Sequence, residues 1–263
     1  MSEVVRLGAS LDGPPAAPVL VLGNSLGTSS VLWEPQLRAL SAHFRLLRYE
    51  HRGHGQIGGE FSPGPPGPYT IGELGGDVLA LLDHIGVDRA LYCGVSLGGM
   101  IGMWLAATAP DRIAGLILCC TSAHLPPAQA WHQRAAVVRA HGPGSIAAQV
   151  VGRWFTPAFA AAEPSVVASF QSALAQMSAE GYAACCEAIA EMDQRPMLAQ
   201  ISAPTLVIAG ADDPATPPWQ AGVMASRIPG ARLKVLRGAA HLANVSNAGE
   251  VSAAVVQHLR GLT

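Results

Sequence analysis

One segment near the middle of the chain, CGVSLGGMIG at 93–102, constrains the fold more than any other. The apolar run RALYC leads into it and the Ala-rich run MIGMWLAATA leads out of it, so we expect a buried strand to turn directly into a helix. Ser96 stands at the turn between Gly94 and Gly98 and matches the pattern G-x-S-x-G in the setting that this pattern requires. The glycines either let the strand and the helix pack closely, or also hold the Ser96 hydroxyl in a strained, exposed turn at a helix N-terminus, where negative charge is favoured. The setting favours the second interpretation, so Ser96 is a candidate nucleophile.

Short apolar runs alternate with helical patterns along most of the chain. The predicted strands are 19–24, 44–50, 89–95, 113–122, 204–210 and 231–238. Because these runs are apolar throughout, they are typical of buried strands in a mostly parallel sheet. Residues 70–86 place five apolar residues on one helical face, and 251–262 is expected to be a closing helix. The five are Leu74, Val78, Leu81, Leu82 and Ile85. This alternation predicts an α/β fold, with a mostly parallel twisted sheet flanked by helices and joined by right-handed crossovers.

Residues 123–200 break this alternation. They contain no convincing strand, they are rich in Ala and Gln, and four of their stretches have helical character. Because the segment is too long for a loop, we predict a helical cap inserted after the sixth strand, over the carboxyl edge of the sheet. Residues 1–122 and 201–263 then form the core. The stretch 55–69 is rich in Gly and Pro, and we expect it to be neither a helix nor a central strand.

The composition excludes several classes of protein. Half of the residues are hydrophobic and 13% are charged, so the chain is expected to fold around a large core. The net charge of −2 provides no basic face for nucleic acid and no polybasic segment for a membrane surface. No apolar run reaches about 18 residues, and the N-terminus MSEVVRLGAS lacks the features of a secretory signal. The five cysteines include two adjacent pairs and no C-x-x-C spacing, so we expect reduced thiols, no metal site and a cytoplasmic location. A homo-oligomer is left open.

A serine nucleophile needs a base, and the base needs an acid that orients it. With this kind of serine turn the chain order is serine, acid, histidine. Of the nine histidines, only His241 and His258 follow every late acid candidate. His258 lies inside the predicted closing helix, so His241, in a loop after the last strand, is the candidate base. Asp212 and Asp213 both follow a buried strand. We prefer Asp213 for its G-x-x-D spacing from Gly210, which is the usual position of the acid in hydrolases with this kind of serine turn.

The tetrahedral intermediate of acyl transfer needs hydrogen-bond donors for its oxyanion. The backbone N–H of Leu97, directly after the nucleophile, is one candidate. The backbone N–H of Leu26 is the second, because it lies in the loop GNSLGTS at 23–29, which follows an early strand. A loop of small residues that merely joins a strand to a helix would have the same composition.

Six segments of the chain resemble the 3-oxoadipate enol-lactonases of the α/β-hydrolase superfamily, and the resemblance covers residues 18–260. The loop NSLGT, where many relatives carry His-Gly, and the stretch EGYAACCEAI in the predicted cap are the more specific of them. The six segments are LGNSLGTSSVLWEPQLRALSAHFRLLRYEHRGHG, GPPGPYTIGELGGDVLALLDHIG, CGVSLGGMIGMWLA, WFTPAF, EGYAACCEAI and PTLVIAGADDPATPP with AAHLAN.

The resemblance implies hydrolysis of 3-oxoadipate enol-lactone, a small anionic lactone, without a metal or organic cofactor. It assigns the catalytic triad and the two oxyanion donors to the residues already singled out, which are Ser96, Asp213, His241, Leu26 and Leu97. Three departures bear on the fit of the substrate. Leu97 stands where these enzymes usually have Met, Glu50 replaces a usual Asp before RGHG, and the loop QIGGEFSPG is longer than usual.

A cap over the site should also supply residues that contact the substrate. Trp131, Trp154 and Phe155 are the leading candidates, the alternative being that they form the core of the cap itself. The carboxylate of the expected substrate requires a cation or several donors, and the chain has fifteen arginines and one lysine. Arg134 is the first candidate because it shares a helix face with Trp131, in a W-x-x-R pair that also resembles the family. Arg153 is the second, and a solvated surface arginine is the alternative for either.

Two other functions remain open from the sequence. An esterase or a C–C bond hydrolase of the same fold is one, because fold and triad do not determine the substrate. A small-molecule receptor that retains a hydrolase pocket is the other. Haloalkane dehalogenases and epoxide hydrolases are disfavoured because they carry Asp where this chain has Ser96.

Overall fold

A computed structural model describes residues 8–57, 60–61 and 64–262 of the chain. Residues 1–7 of the predicted core, four positions of the predicted loop 55–69 and residue 263 lie outside the described residues. The strands in chain order are β1 (Ala9–Asp12), β2 (Val19–Gly23), β3 (Arg45–Tyr49), β4 (Gln56–Ile57), β5 (Glu60–Phe61), β6 (Ala90–Val95), β7 (Ile113–Cys119), β8 (Thr205–Gly210) and β9 (Arg232–Leu236).

Helices lie between most of these strands. They are α1 (Glu34–Leu40), α2 (Ile71–His84), α3 (Leu97–Thr108), α4 (Ala128–His141), α5 (Gly144–Val151), α6 (Pro157–Ala162), α7 (Pro164–Ala175), α8 (Ala179–Glu191), α9 (Pro218–Arg227), α10 (Ala243–Ser246) and α11 (Ala248–Leu259). In the described part of the chain, none of them has the length and apolar character needed to cross a lipid bilayer.

The main sheet has seven strands in the order β1-β3-β2-β6-β7-β8-β9. β1 runs antiparallel to β3, and the other neighbouring strands pair in parallel. Strands β6, β7 and β8 are buried along their whole length, as expected for the centre of a sheet packed on both faces. The predicted α/β fold with a mostly parallel sheet is therefore confirmed. Parallel pairing brings the carboxyl ends of these strands to one edge of the sheet.

The six predicted strands are all present, but the count of strands before the cap differs from the prediction. Among the described residues the helical segment follows β7, which is the fifth strand of the main sheet in chain order and not the sixth. Strands β4 and β5 pair only with each other, inside the predicted loop 55–69, and do not join the main sheet. Strand β1 was not predicted, because its four residues ASLD are partly exposed at the sheet edge and lack an apolar run.

Helix α2 illustrates how the local sequence determines where a helix begins. The backbone N–H of Glu73 donates a hydrogen bond to the Thr70 side chain (3.1 Å), and the backbone N–H of Thr70 donates to the Glu73 carboxylate (2.8 Å). This reciprocal capping box satisfies two N–H groups that the helix itself leaves free. Of the five predicted face residues, Leu74, Val78 and Leu82 are buried, and Leu81 and Ile85 are partly buried against the core. The helix packs against α3.

The segment 123–200, which we call the cap, contains α4 to α8 and no strand. Helix α4 packs against α8, and α5 packs against α7. At the surface the Arg139 guanidinium of α4 forms ion pairs with the Glu180 and Glu187 carboxylates of α8. The division of the chain into a core and a cap at residues 123 and 200 stays an interpretation of the sequence.

Two helical glycines are expected to respond oppositely to alanine. At Gly98 in α3 an added Cβ would lie 2.3 Å from the carbonyl group of Gly23, which is backbone and cannot rotate away. Gly98→Ala should therefore lower the free energy of unfolding by about 1–3 kcal/mol. At Gly76 in α2 an added Cβ meets nothing within 4 Å. Gly76→Ala, the matched control, should raise the free energy of unfolding by up to about 1 kcal/mol. Urea unfolding measures both, and an unchanged stability of Gly98→Ala would contradict the close contact.

Candidate active site

Ser96 lies in a strained turn between β6 and α3. Its backbone has φ 53° and ψ −113°, a conformation that non-glycine residues rarely adopt. A Cβ on Gly94 would lie 2.3 Å from the Gly98 carbonyl group, so the first glycine of G-x-S-x-G is required by the approach of the helix to the strand. The turn is also held by hydrogen bonds: the Ser96 N–H donates to the Cys119 carbonyl (3.0 Å) and the Thr121 hydroxyl donates to the Ser96 carbonyl (2.6 Å). Both interpretations of the glycines therefore apply, because close packing and the strained serine occur together.

The predicted base and acid are in direct contact. His241, in the loop after β9, and Asp213, in the loop after β8, are both buried, and His241 Nδ1 lies 2.9 Å from Asp213 Oδ2. Because a carboxylate only accepts, Nδ1 carries the proton in this bond and Nε2 is the nitrogen left for proton transfer. Asp212 is exposed. His258 lies in α11 and lines a separate pocket together with Arg232.

Thr216 completes the surroundings of Asp213. Its hydroxyl donates to Asp213 Oδ2 (2.6 Å), and the backbone N–H groups of Ala215 and Thr216 donate to Oδ1 (2.8 and 3.0 Å). Burial acts to raise the pKa of Asp213, but the His241 charge and these hydrogen bonds outweigh it, and the pKa lies below its usual value. Burial acts to lower the pKa of His241, but the charge and the hydrogen bond of Asp213 outweigh it, and the pKa lies above the usual 6.5. Asp213 therefore stabilises the protonated form of His241, the form that arises when His241 takes a proton.

The loop that carries Leu26 is held by buried polar contacts. The Asn24 carbonyl accepts hydrogen bonds from the Gly98 N–H (2.8 Å) and from His51 Nε2 (2.8 Å). Burial lowers the pKa of His51 to about 3, so its ring is neutral at physiological pH. The Ser30 N–H donates to the Glu50 carboxylate (3.0 and 3.1 Å). The contact between Asn24 and Gly98 ties this loop to the first turn of α3.

The two predicted oxyanion donors belong to the two segments that this contact joins, Leu26 near Asn24 and Leu97 next to Gly98. Leu97 is the first residue of α3, so its backbone N–H has no carbonyl partner within the helix. Leu26 lines the same cavity as Ser96. Their role in stabilising an oxyanion stays a prediction.

A cavity of about 120 Å³ brings core and cap residues together. It contains Ser96 and His241 on the core side and the predicted substrate contacts Trp131, Arg134 and Trp154 on the cap side. The lining residues are Ser25, Leu26, Ser96, Leu125, Trp131, Arg134, Val150, Arg153, Trp154, Tyr182, Ile189, Pro214, Ala215, Thr216 and His241.

Phe155 is the one aromatic candidate that this lining does not include, so its prediction as a substrate contact is wrong. Its ring stacks on Phe159 (centroids 4.9 Å apart) and contacts Phe170 (5.6 Å). It therefore belongs to the core of the cap, which was the alternative interpretation for these aromatic residues.

The cap side of the cavity is cationic. The Arg134 guanidinium lies over the Trp131 ring, 4.5 Å from its centroid. Within the described part of the chain, neither Arg134 nor Arg153 forms an ion pair with a carboxylate, and the buried Nε of Arg153 has no hydrogen-bond partner. Burial and the nearby charge of Arg134 lower the pKa of Arg153. Two guanidinium groups without a counter-charge make this end of the cavity suitable for an anion.

Tyr182 and Thr216 are the site residues that the sequence analysis missed. Thr216 could have been found from the spacing D-P-A-T, because an aspartate commonly accepts hydrogen bonds from the residues two and three positions on. Tyr182 lies within the segment EGYAACCEAI, but nothing in that segment indicates that the phenol reaches the cavity.

Comparisons with known proteins agree with this geometry. Residues 18–248 match the model of the α/β hydrolase fold family, and the chain therefore belongs to that family. It is 43% identical to 3-oxoadipate enol-lactonase 2 of Acinetobacter baylyi, over 93% of this chain and 89% of the relative. It is 35% identical to 3-oxoadipate enol-lactonase 1 of the same organism, over 91% and 87%. The crystal structure of the enol-lactonase from Burkholderia xenovorans LB400 superimposes with a TM-score of 0.92 and 42% identity, covering 96% of each chain. The resemblance seen in the sequence is confirmed.

The contact between Asp213 and His241 predicts a shift in the pH dependence of catalysis. Only neutral His241 can accept a proton, so kcat/KM should fall as the pH drops below the raised pKa of His241. The midpoint of this fall, the acid limb of the pH profile, should lie above about pH 6.5. Asp213→Asn removes the charge that raises this pKa, so the limb should move to lower pH while the maximum falls by about 10⁴-fold.

Asp212→Asn is the matched control for this measurement. Asp212 is exposed, so this variant should keep the wild-type limb and lose at most about threefold in kcat/KM, the effect of a surface substitution of under 1 kcal/mol. A larger loss in Asp212→Asn than in Asp213→Asn would move the acid to Asp212.

Proposed function

We propose that this protein is a serine hydrolase that opens the lactone ring of 3-oxoadipate enol-lactone to give 3-oxoadipate, a step of the β-ketoadipate pathway of aromatic catabolism. The observation that carries the proposal is the cavity in which Ser96 and His241 face two unpaired arginines, in a chain that is 43% identical to a 3-oxoadipate enol-lactonase. A cavity of about 120 Å³ is smaller than the pockets of about 300–1,000 Å³ that hold drug-sized ligands, so it favours a small substrate.

Catalysis begins with attack of Ser96 Oγ on the ring carbonyl carbon. His241 Nε2 takes the hydroxyl proton as the Oγ–C bond forms, and the Asp213 carboxylate stabilises the resulting imidazolium. The carbonyl oxygen becomes an oxyanion, which accepts hydrogen bonds from the N–H groups of Leu26 and Leu97. The contact between Asn24 and Gly98 supports this step because it fixes the two donor segments relative to each other.

Ring opening follows when the tetrahedral intermediate collapses. The bond between the carbonyl carbon and the ring oxygen breaks, and the electron pair leaves on an enol oxygen, which is a better leaving group than an ordinary alkoxide. The imidazolium of His241 supplies a proton, and the enol tautomerises to the ketone. A water molecule then attacks the acyl carbon of the Ser96 ester while His241 takes its proton. The bond between that carbon and Ser96 Oγ breaks, His241 returns the proton to Oγ, and 3-oxoadipate leaves as the carboxylate.

The carboxylate of this substrate explains the cationic end of the cavity. Burying an unpaired anion would cost several kcal/mol, and the Arg134 guanidinium can pair with a carboxylate through two N–H groups. The cation–π contact with Trp131 orients that guanidinium. Arg153 supplies a second positive charge at the same end. An esterase for neutral substrates, a C–C bond hydrolase or a receptor for neutral ligands has no carboxylate to pair with these two partly buried arginines.

The cysteines support a cytoplasmic location, which we include in the proposal. All five are free and buried. Burial raises the pKa of Cys93, and it raises the pKa of Cys186 to about 12. Such thiols are inert and are typical of a reducing compartment.

The nucleophile provides the test of the proposed function. Purified wild-type protein should turn over 3-oxoadipate enol-lactone with a higher kcat/KM than a neutral aryl ester. Ser96→Ala should fold normally and lower kcat by several orders of magnitude, up to about 10⁶-fold. His241→Ala should behave in the same way. Near-normal turnover by Ser96→Ala would contradict the mechanism, and turnover of esters without turnover of the lactone would favour the esterase.

Arg134→Ala tests the anion-binding end of the cavity. It should raise KM for the anionic lactone by roughly 10–100-fold, the effect of losing a charged hydrogen bond, and leave KM for a neutral ester within about twofold. Arg139→Ala is the control on the same helix, because Arg139 pairs with Glu180 and Glu187 at the surface. It should affect both substrates equally. Equal effects of Arg134→Ala on both substrates would mean that Arg134 supports the cap and binds no anion.

A further inference from the structure

A second cavity lies next to the catalytic one. It has a volume of about 450 Å³ and is lined mainly by apolar side chains from the segment 28–35 and from α6 and α7. It is open to solvent along one side, where five of its lining residues are exposed: Val31, Glu34, Pro35, Glu163 and Ser169. This apolar cavity is several times larger than the cavity that contains Ser96, and the mechanism above does not use it.

The two cavities share their walls. Ser25 lines the catalytic cavity and Thr28 lines the apolar cavity, and the Thr28 hydroxyl donates to the Ser25 carbonyl (2.8 Å). On another side the Leu242 N–H donates to the Trp154 carbonyl (3.0 Å), and the N–H of Val245, which lines the apolar cavity, donates to the Leu242 carbonyl (2.9 Å). The same short segments therefore border both spaces.

Two aromatic rings stand between these shared segments. Trp154 lines the catalytic cavity and Phe170 lines the apolar cavity. Their ring centroids are 5.9 Å apart, and the ring planes are nearly perpendicular at 88°. This is an edge-to-face contact, which leaves no space between the rings. The partition between the two cavities is therefore one pair of side chains thick at this point.

We propose that the Trp154–Phe170 pair is a wall that sets the maximum length of the substrate, and that the apolar cavity behind it is a latent site for the alkyl chain of longer esters. The proposal rests on the serine hydrolysis proposed above. With the wall in place only a small ring or a short ester fits beside Ser96. With the wall removed, an alkyl chain can extend into the apolar cavity and bury its methylene groups there.

The experiment measures kcat/KM for p-nitrophenyl esters with acyl chains from butyrate to decanoate, and for acetate esters of the matching alcohols. Wild-type protein should lose activity beyond short chains. Each buried methylene is worth about fourfold in binding, so Trp154→Ala should raise the octanoate-to-butyrate ratio, or the corresponding alcohol ratio, by at least about tenfold. Phe170→Ala opens the same wall from the other side and should shift the ratio in the same direction, which keeps the test decisive if Trp154→Ala fails to fold.

Two further variants separate the wall from general loosening of the cap. Val166 lines the apolar cavity on α7, so Val166→Ala enlarges that cavity without opening the wall and should leave the ratio within about twofold of wild type. Ser169 is exposed and lines the same cavity. Adding Ser169→Trp to Trp154→Ala fills the cavity and should return the ratio to the wild-type value.

The outcomes distinguish this proposal from the proposed function. Wild-type protein that turns over neither the lactone nor butyrate would overturn the proposed hydrolysis. Wild-type protein that turns over both, with chain-length ratios unchanged in Trp154→Ala and Phe170→Ala, would overturn the wall. If Trp154→Ala raises the octanoate-to-butyrate ratio and adding Ser169→Trp does not lower it again, the alkyl chain binds outside the apolar cavity. That result would also overturn the proposed wall.

Discussion

The structure depends on a close backbone contact between the start of α3 and the ends of β2 and β6. No side chain beyond hydrogen fits at Gly94 or Gly98, and the Gly98 N–H donates to the Asn24 carbonyl. This contact forces Ser96 into its strained conformation and anchors the loop that carries Leu26. The nucleophile and both predicted oxyanion donors are therefore positioned by one feature of the main chain, which does not depend on the rotamer of any side chain.

The electrostatics of the site follow from which charged side chains have a partner of opposite charge and which do not. Asp213 is surrounded by donors and can compensate the positive charge that His241 acquires when it takes a proton. Arg134 and Arg153, at the cap side of the cavity, have no such compensation among the described residues. Charge is thus balanced inside the protein where the proton moves and left unbalanced where we propose that the substrate carboxylate binds.

The sequence was informative where chemistry and local structure coincide. The central strands were predictable because they are continuously apolar, and Ser96, Asp213 and His241 because each follows a strand at the same sheet edge. The edge strand β1 was not predictable, since its stability comes from pairing with β3 rather than from burial. Phe155 and Trp154 are adjacent aromatic residues, yet only Trp154 faces the cavity. That difference arises from the packing of α6 and α7, which no local pattern encodes.

The cap has a consequence for how this protein can change over time. The residues that we propose for recognition, Trp131, Arg134, Arg153, Trp154 and Tyr182, all come from one uninterrupted stretch between β7 and β8. Ser96, Asp213 and His241 come from outside it. A single recombination event or a few mutations confined to that stretch of the gene can therefore alter substrate preference while the bond-breaking machinery is inherited unchanged. Selection for a different substrate can therefore act on the cap residues without altering the three proposed catalytic residues.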